Sequence, residues 1–186
     1  MKKSMLAVAV IAVMSMPLFA APKAAPAYAG GKNMAGKSAI GAGYATEALG
    51  LGAVSGIGFR HWNSNETAFD VNVGFASGKD TRDINLGGQM LFLLKGTANV
   101  HYMSMFGLQY ASANDDAAKT KQTDLMFGAG LNVEFFFSEM PDLGFNATLT
   151  GITVDMRTNE NNGVSTSSTN VGTSPLISFG VRYYYK

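Results

Sequence analysis

Leu176-Ile177-Ser178-Phe179-Gly180-Val181-Arg182-Tyr183-Tyr184-Tyr185-Lys186 alternates without a break. Ile177, Phe179, Val181, Tyr183 and Tyr185 share one parity; Ser178, Gly180, Arg182 and Tyr184 share the other. Successive strand side chains project to opposite faces of a sheet, so this is a β-strand with one apolar and one mixed face. At the edge of a soluble sheet such a strand would invite aggregation. It reads instead as the strand that closes a barrel.

Seven more stretches carry the same period, at 38–46, 53–62, 67–76, 84–95, 99–111, 123–137 and 143–156. In 67–76, Phe69, Val71, Val73 and Phe75 alternate with Ala68, Asp70, Asn72 and Gly74. In 123–137, Leu125, Phe127, Leu131, Val133 and Phe135 alternate with Gly128, Gly130, Asn132 and Glu134. Two stretches break the rule. Leu91 and Leu93 fall on the polar parity of 84–95, and the register of 143–156 slips at Gly151, as a β-bulge would make it.

The connections alternate in character. Those at 63–66, 96–98 and 138–142 are short turns, whereas 77–83, 112–122 and 157–173 are longer and polar. The first, 47–52, is only slightly longer than a turn. Short turns at one end and long loops at the other are the pattern of outer-membrane barrels. The expected fold is all-β, an eight-stranded antiparallel up-and-down transmembrane β-barrel spanning 38–186. Its location is the bacterial outer membrane, and its first partner is that bilayer.

Composition agrees. Charged residues are 15%, against about 25% in ordinary soluble domains. Hydrophobic residues reach 47%, yet beyond residue 20 no run approaches the roughly 18 apolar residues of a membrane helix. Lys2, Lys3 and the apolar stretch from Met5 to Phe19 read as a secretory signal peptide within 1–29, with cleavage after Ala20 or Ala29. Residues 30–37 read as a flexible N-terminus. From Gly30 onward 11 basic residues face 13 acidic ones, so no basic patch suggests nucleic acid. The chain has no cysteine, which excludes a disulfide framework and a thiolate metal site.

Energetics choose the outward face. A one-residue slip would turn Arg60, Asp70, Lys95, Glu134 or Arg182 toward lipid. An Arg or Lys near the midplane costs about 2–4 kcal/mol. These five are therefore expected in the lumen, with Glu134 paired to Arg182 or Arg60. Tyr44, Phe75, Tyr102, Tyr110, Phe137, Tyr183 and Tyr185 lie near strand ends, where aromatic girdles are expected at the two membrane interfaces.

Glu134-Phe135-Phe136-Phe137-x-x-x-Pro141-x-Leu143 and the Gly180-Val181-Arg182-Tyr183-Tyr184-Tyr185 ending, with the signal peptide and strand pattern, resemble the small eight-stranded outer-membrane β-barrel family. That family includes the transmembrane domain of outer membrane protein A. The resemblance implies that the last strand is read by the barrel-assembly machinery. The usual ending is Phe; here Tyr185 is followed by Lys186. No peptidoglycan-binding domain is expected after the barrel.

No catalytic constellation emerges. His101 and Ser104 have opposite parity, and two scattered histidines do not make a metal site. Asn114-Asp115-Asp116 lacks the spacing of a calcium loop, and Gly50, Gly52 and Gly56 miss a dinucleotide fingerprint by one residue. The expectation is a non-enzyme without cofactor, catalytic group or metal. It has a structural or surface-interaction role, a lumen plugged by side chains, and extracellular ligands at loops 112–122 and 157–173. The alternatives are a narrow porin-like channel for ions or small solutes and, further off, a lipid-modifying barrel enzyme.

Overall fold

The computed structural model describes residues 32–45, 54–173 and 176–186. The expected signal peptide, residues 30–31 and the 47–52 loop lie outside the described residues, as does the side chain of Tyr44. The strands are β1 Ser38–Ala45, β2 Val54–Trp62, β3 Thr67–Ser77, β4 Thr81–Gly96, β5 Val100–Asp115, β6 Thr120–Phe137, β7 Met140–Asn161, β8 Val164–Gly172 and β9 Leu176–Tyr185. Neighbours pair antiparallel from β1 to β7; β9 pairs β7 on one side and β1 on the other, closing the ring. β7 pairs β8 along its second half and β9 along its first, so β8 and β9 together form the eighth stave.

The stave register is staggered. Following Cα partners from Arg182 through Gly41, Gly58, Asn72, Gly87, Gln109 and Met126 leads to Asp155 on β7. Arg182's direct neighbour on β7 is Gly144, so the offset is 11 residues (155 − 144), one of them the extra residue Gly151. Such a stagger is what tilts strands and lets a barrel close. It also brings residues from distant rows to one height.

The outer face is apolar. Ile57, Val71, Val73, Phe75, Leu86, Phe106, Leu131, Ile152, Phe179 and Tyr183 are all exposed on it. A continuous exposed apolar belt around a closed barrel is a lipid-facing surface.

Three expectations are corrected. First, 157–173 is not a loop. β7 continues to Asn161, turns at Asn162 (φ 49°) and Gly163 (φ 82°), and returns as β8. Asn-Gly in the left-handed region is the preferred two-residue hairpin turn. Likewise 112–122 is β5 and β6 joined at 116–119, and β4 begins at Thr81. Above the belt both faces meet water, so these strands lack the apolar alternation that marks the others. Second, Lys95 is not in the lumen. A bulge between Leu93 and Lys95 sets Lys95 opposite the outward Tyr102, and it is exposed. Third, Lys32–Lys37 is not a loose lead-in. Trp62 N–H donates to Lys37 O at 3.0 Å, Gly36 N–H to Trp62 O at 2.9 Å, and Asn65 Oδ1 accepts from Met34 N–H at 2.8 Å. Met34 is buried among Trp62, Leu91, Met103, Phe136 and Tyr184. Leu91 and the half-buried Leu93, the apolar exceptions of their strand, belong to this same seal at the turn end.

Candidate functional site

The barrel interior concentrates the chemistry. Direct cross-strand neighbours place Arg60 opposite Asp70, Asp70 opposite Gln89, and Glu134 opposite Asn146. Arg60 then bridges the acids. Its Nε and Nη2 donate to Asp70 Oδ1 and Oδ2 at 2.5 and 2.8 Å, and its Nη1 donates to Glu134 Oε2 at 2.7 Å. Arg182 Nη2 donates to Asp70 Oδ2 at 2.8 Å, and Nη1 donates to Asn146 Oδ1. Gln89 Nε2 donates to Asp70 at 2.7 Å, and Tyr184 OH donates to Glu134 at 2.8 Å. Arg60 and Glu134 are fully buried. Two guanidinium groups and two carboxylates balance, which is the condition for tolerating buried charge. Gly144 leaves room for it: a Cβ there would stand 2.6 Å from Glu134 Oε1.

Below this network, toward the turn end, lies the apolar seal. His101 packs edge-on to Trp62 and Phe136, with ring centroids at 5.5 and 5.1 Å. Lys32 Nζ sits 3.9 Å over the Phe136 ring and donates to the Pro141 carbonyl. Burial, and then the Lys37 ammonium, lower its pKa below the ordinary lysine value. Above the network is a cavity of about 160 Å³. Toward the loop end, Arg157 Nε donates to the buried Asp124 at 3.1 Å and its Nη2 lies 3.6 Å from Asp155.

Of the five charges expected inside, the structure brings Arg60, Asp70, Glu134 and Arg182 together and sets Lys95 outside. Arg60, not Arg182, contacts Glu134; Arg182 reaches Asp70. Among the aromatics, Phe75 is 73% exposed on the outer face, Tyr102, Tyr183 and Tyr185 are exposed toward the turn end, and Tyr110 is half-buried. Tyr184, Gln89 and Asn146 were not singled out, although each shares the inward parity of its strand. Asp124, Asp155 and Arg157 were also missed: Asp124 lies inside the expected strand 123–137 on the parity of Glu134, Asp155 lies beyond the slip at Gly151 that exchanges the faces of β7, and Arg157 falls one residue past the expected end of 143–156. His101 and Ser104 do lie on opposite faces: His101 is buried with the seal, while Ser104 is the ladder partner of Phe92 and Leu131. On the outer face Ser38 Oγ and His61 Nδ1 are 2.9 Å apart as direct ladder partners, with Phe69 against the imidazole.

No family model matches the chain, and no curated protein does. Solved structures do match. The N-terminal β-barrel domain of Pseudomonas aeruginosa OprF is similar at TM-score 0.51 and 10% identity, with 83% of this chain and 100% of that one covered. The outer membrane protein OprG of the same organism is similar at TM-score 0.51 and 14% identity, with 85% of this chain and 99% of that one covered. The fold is that of small outer-membrane β-barrels. The apolar belt around it is that of a barrel that faces lipid.

Proposed function

We propose that this barrel has a closed lumen and acts through its polar hairpins as a structural or surface-interaction protein of the outer membrane. The observation that carries the reading is the stack of two barriers across the lumen. The buried Arg60–Asp70–Glu134–Arg182 network lies above, and the seal of Met34, Trp62, Phe136 and Tyr184 lies below. An eight-stranded barrel is just wide enough for such side chains to fill it. The hairpins of β5–β6 and β7–β8 rise beyond the belt, and every residue of β8 is exposed. Ser, Thr and Asn dominate there, so a partner would be held by hydrogen bonds rather than by apolar burial. Biogenesis would use the barrel-assembly machinery.

The test is conductance of refolded protein in planar bilayers, with Glu134→Gln and Arg182→Gln beside the wild type. A silent wild type, with insertion verified by heat-modifiable gel mobility, is the expected result. The cavity above the network favours a second reading, a narrow path for ions or small solutes. Discrete wild-type steps that change with either substitution would establish that reading and defeat the first.

A further inference from the structure

The seal at the turn end has an ionisable group at its centre. His101 is 1% exposed and lies between Trp62 and Phe136. Neither ring nitrogen has a hydrogen-bond partner among the described residues. A neutral imidazole packs there as a flat ring. An imidazolium carries a full charge and two donors, and both donors need acceptors.

The surroundings supply none. Glu134 on β6 is the ladder partner of His101, but its carboxylate is already engaged by Arg60 Nη1 at 2.7 Å and Tyr184 OH at 2.8 Å. Arg60 from β2 and Lys32 from the N-terminal segment are the cations that act on the ring. From β9 the ionisable neighbour is the Tyr184 phenol, packed on Phe136. On β4 the contact is Gly96, where a Cβ would stand 3.3 Å from the ring, while Lys95 is exposed outside. Two cations against one engaged carboxylate make the seated seal a poor host for a further positive charge.

The cover over this ring is a separate, lightly held piece. Lys32–Lys37 folds back at Gly36, where Lys37 N–H donates to Met34 O at 2.9 Å. Gly36 has a φ of 75°, the left-handed position of a tight turn that favours glycine. Met34 is its apolar anchor. Lys32 Nζ lies over Phe136, whose ring also packs on His101, so a charge formed on His101 acts on Lys32 across a single aromatic ring.

We propose that Lys32–Lys37 is an acid-released stopper, driven from the turn end when His101 takes up a proton. With the segment seated, an imidazolium lacks acceptors and faces Lys32. With the segment swung away at Gly36, water solvates the ring and Lys32 is distant. The released form therefore holds the proton more tightly than the seated form, and falling pH favours release. One proton changes the ratio of released to seated by at most about tenfold per pH unit, beginning below about pH 6.5, where a solvated histidine titrates. The inference rests on the seal of the closed-lumen reading but not on the charge network above it, so release requires no conductance.

The experiment is spin-label EPR of the full refolded barrel in detergent micelles, with the label on Asn33→Cys. Residue 33 is exposed, and the chain has no native cysteine. The expected result is an immobilised label at about pH 7.5 and a growing mobile component between about pH 6.5 and 4.5, with the heat-modifiable folded band retained. His101→Phe keeps a ring against Trp62 and Phe136 but takes up no proton, so its label should stay immobile across the same range. His101→Gln, which also does not titrate there, serves if the first variant does not refold. His61→Gln removes the chain's other histidine and should leave the transition in place. A wild-type label that stays immobile, or the same transition without His101, would overturn the switch and leave the seal standing. A label already mobile at about pH 7.5 would remove the seal itself, and with it the switch.

Discussion

The belt region and the β7–β8 hairpin are both antiparallel sheet, yet only one of them looks like sheet in the sequence. In β9, every second residue meets lipid, and the chain alternates Ile177, Phe179, Val181, Tyr183. In β8, Val-Ser-Thr-Ser-Ser-Thr-Asn-Val-Gly is exposed along its whole length. Alternation is therefore a record of two different solvents on two faces, not of the strand backbone. Where water lies on both sides the record is blank, and only β-compatible threonines and the Asn162-Gly163 turn remain to be read.

The sharpest contrast is between buried charge and exposed polarity. Arg60→Gln leaves Asp70 and Glu134 in the lumen with most of their compensation gone. Breaking one side of a buried ion network costs about 3–5 kcal/mol, and the urea midpoint of the folded, heat-modifiable band should fall accordingly. Placing the same new charge in both regions tests the comparison directly. Phe179→Lys, in the belt, should cost about 2–4 kcal/mol. Val164→Lys, at the hairpin and already 67% exposed, should change stability by less than about 0.5 kcal/mol. Equal costs at the two sites would mean that the hairpin is embedded after all.

Met34→Ala probes the seal. Truncating a buried Met costs about 2 kcal/mol or more. Trp62 is the chain's single tryptophan and packs in the same cluster, so its emission should move to the red as the segment loosens. Unchanged emission would show that Lys32–Lys37 does not cover the turn end in solution. The smallest effect separates two kinds of glycine. Gly41→Ala forces a Cβ against a backbone oxygen and should cost about 1–3 kcal/mol, whereas Gly58→Ala should be near neutral. Chemical denaturation in the same detergent reads both.

Much of the lumen was legible through parity. Arg60, Asp70, Glu134 and Arg182 each sit opposite an apolar neighbour in an alternating run, and the cost of a charge in lipid turns them inward. Lys95 obeys the same parity in the sequence and breaks it in the fold, because the bulge at Leu94 inserts one residue and exchanges the faces beyond it. Gly151 is the extra residue of β7 and announced itself by an interrupted pattern; Leu94 lies among apolar neighbours and left no such mark.

By itself the sequence determined the strands that touch lipid, their number, their outward faces and the strand that closes the ring, because each follows from local alternation and the cost of charge in hydrocarbon. The tertiary structure alone decided which charges meet. Arg60 and Glu134 are 74 residues apart and are not ladder partners. They touch because the staggered, tilted staves bring different rows of the sheet to one height across a narrow lumen. The same stagger aligns the glycines into a cavity and leaves the turn end open for Met34 to fill. None of these contacts has a local signature, since each depends on the closure of the whole ring.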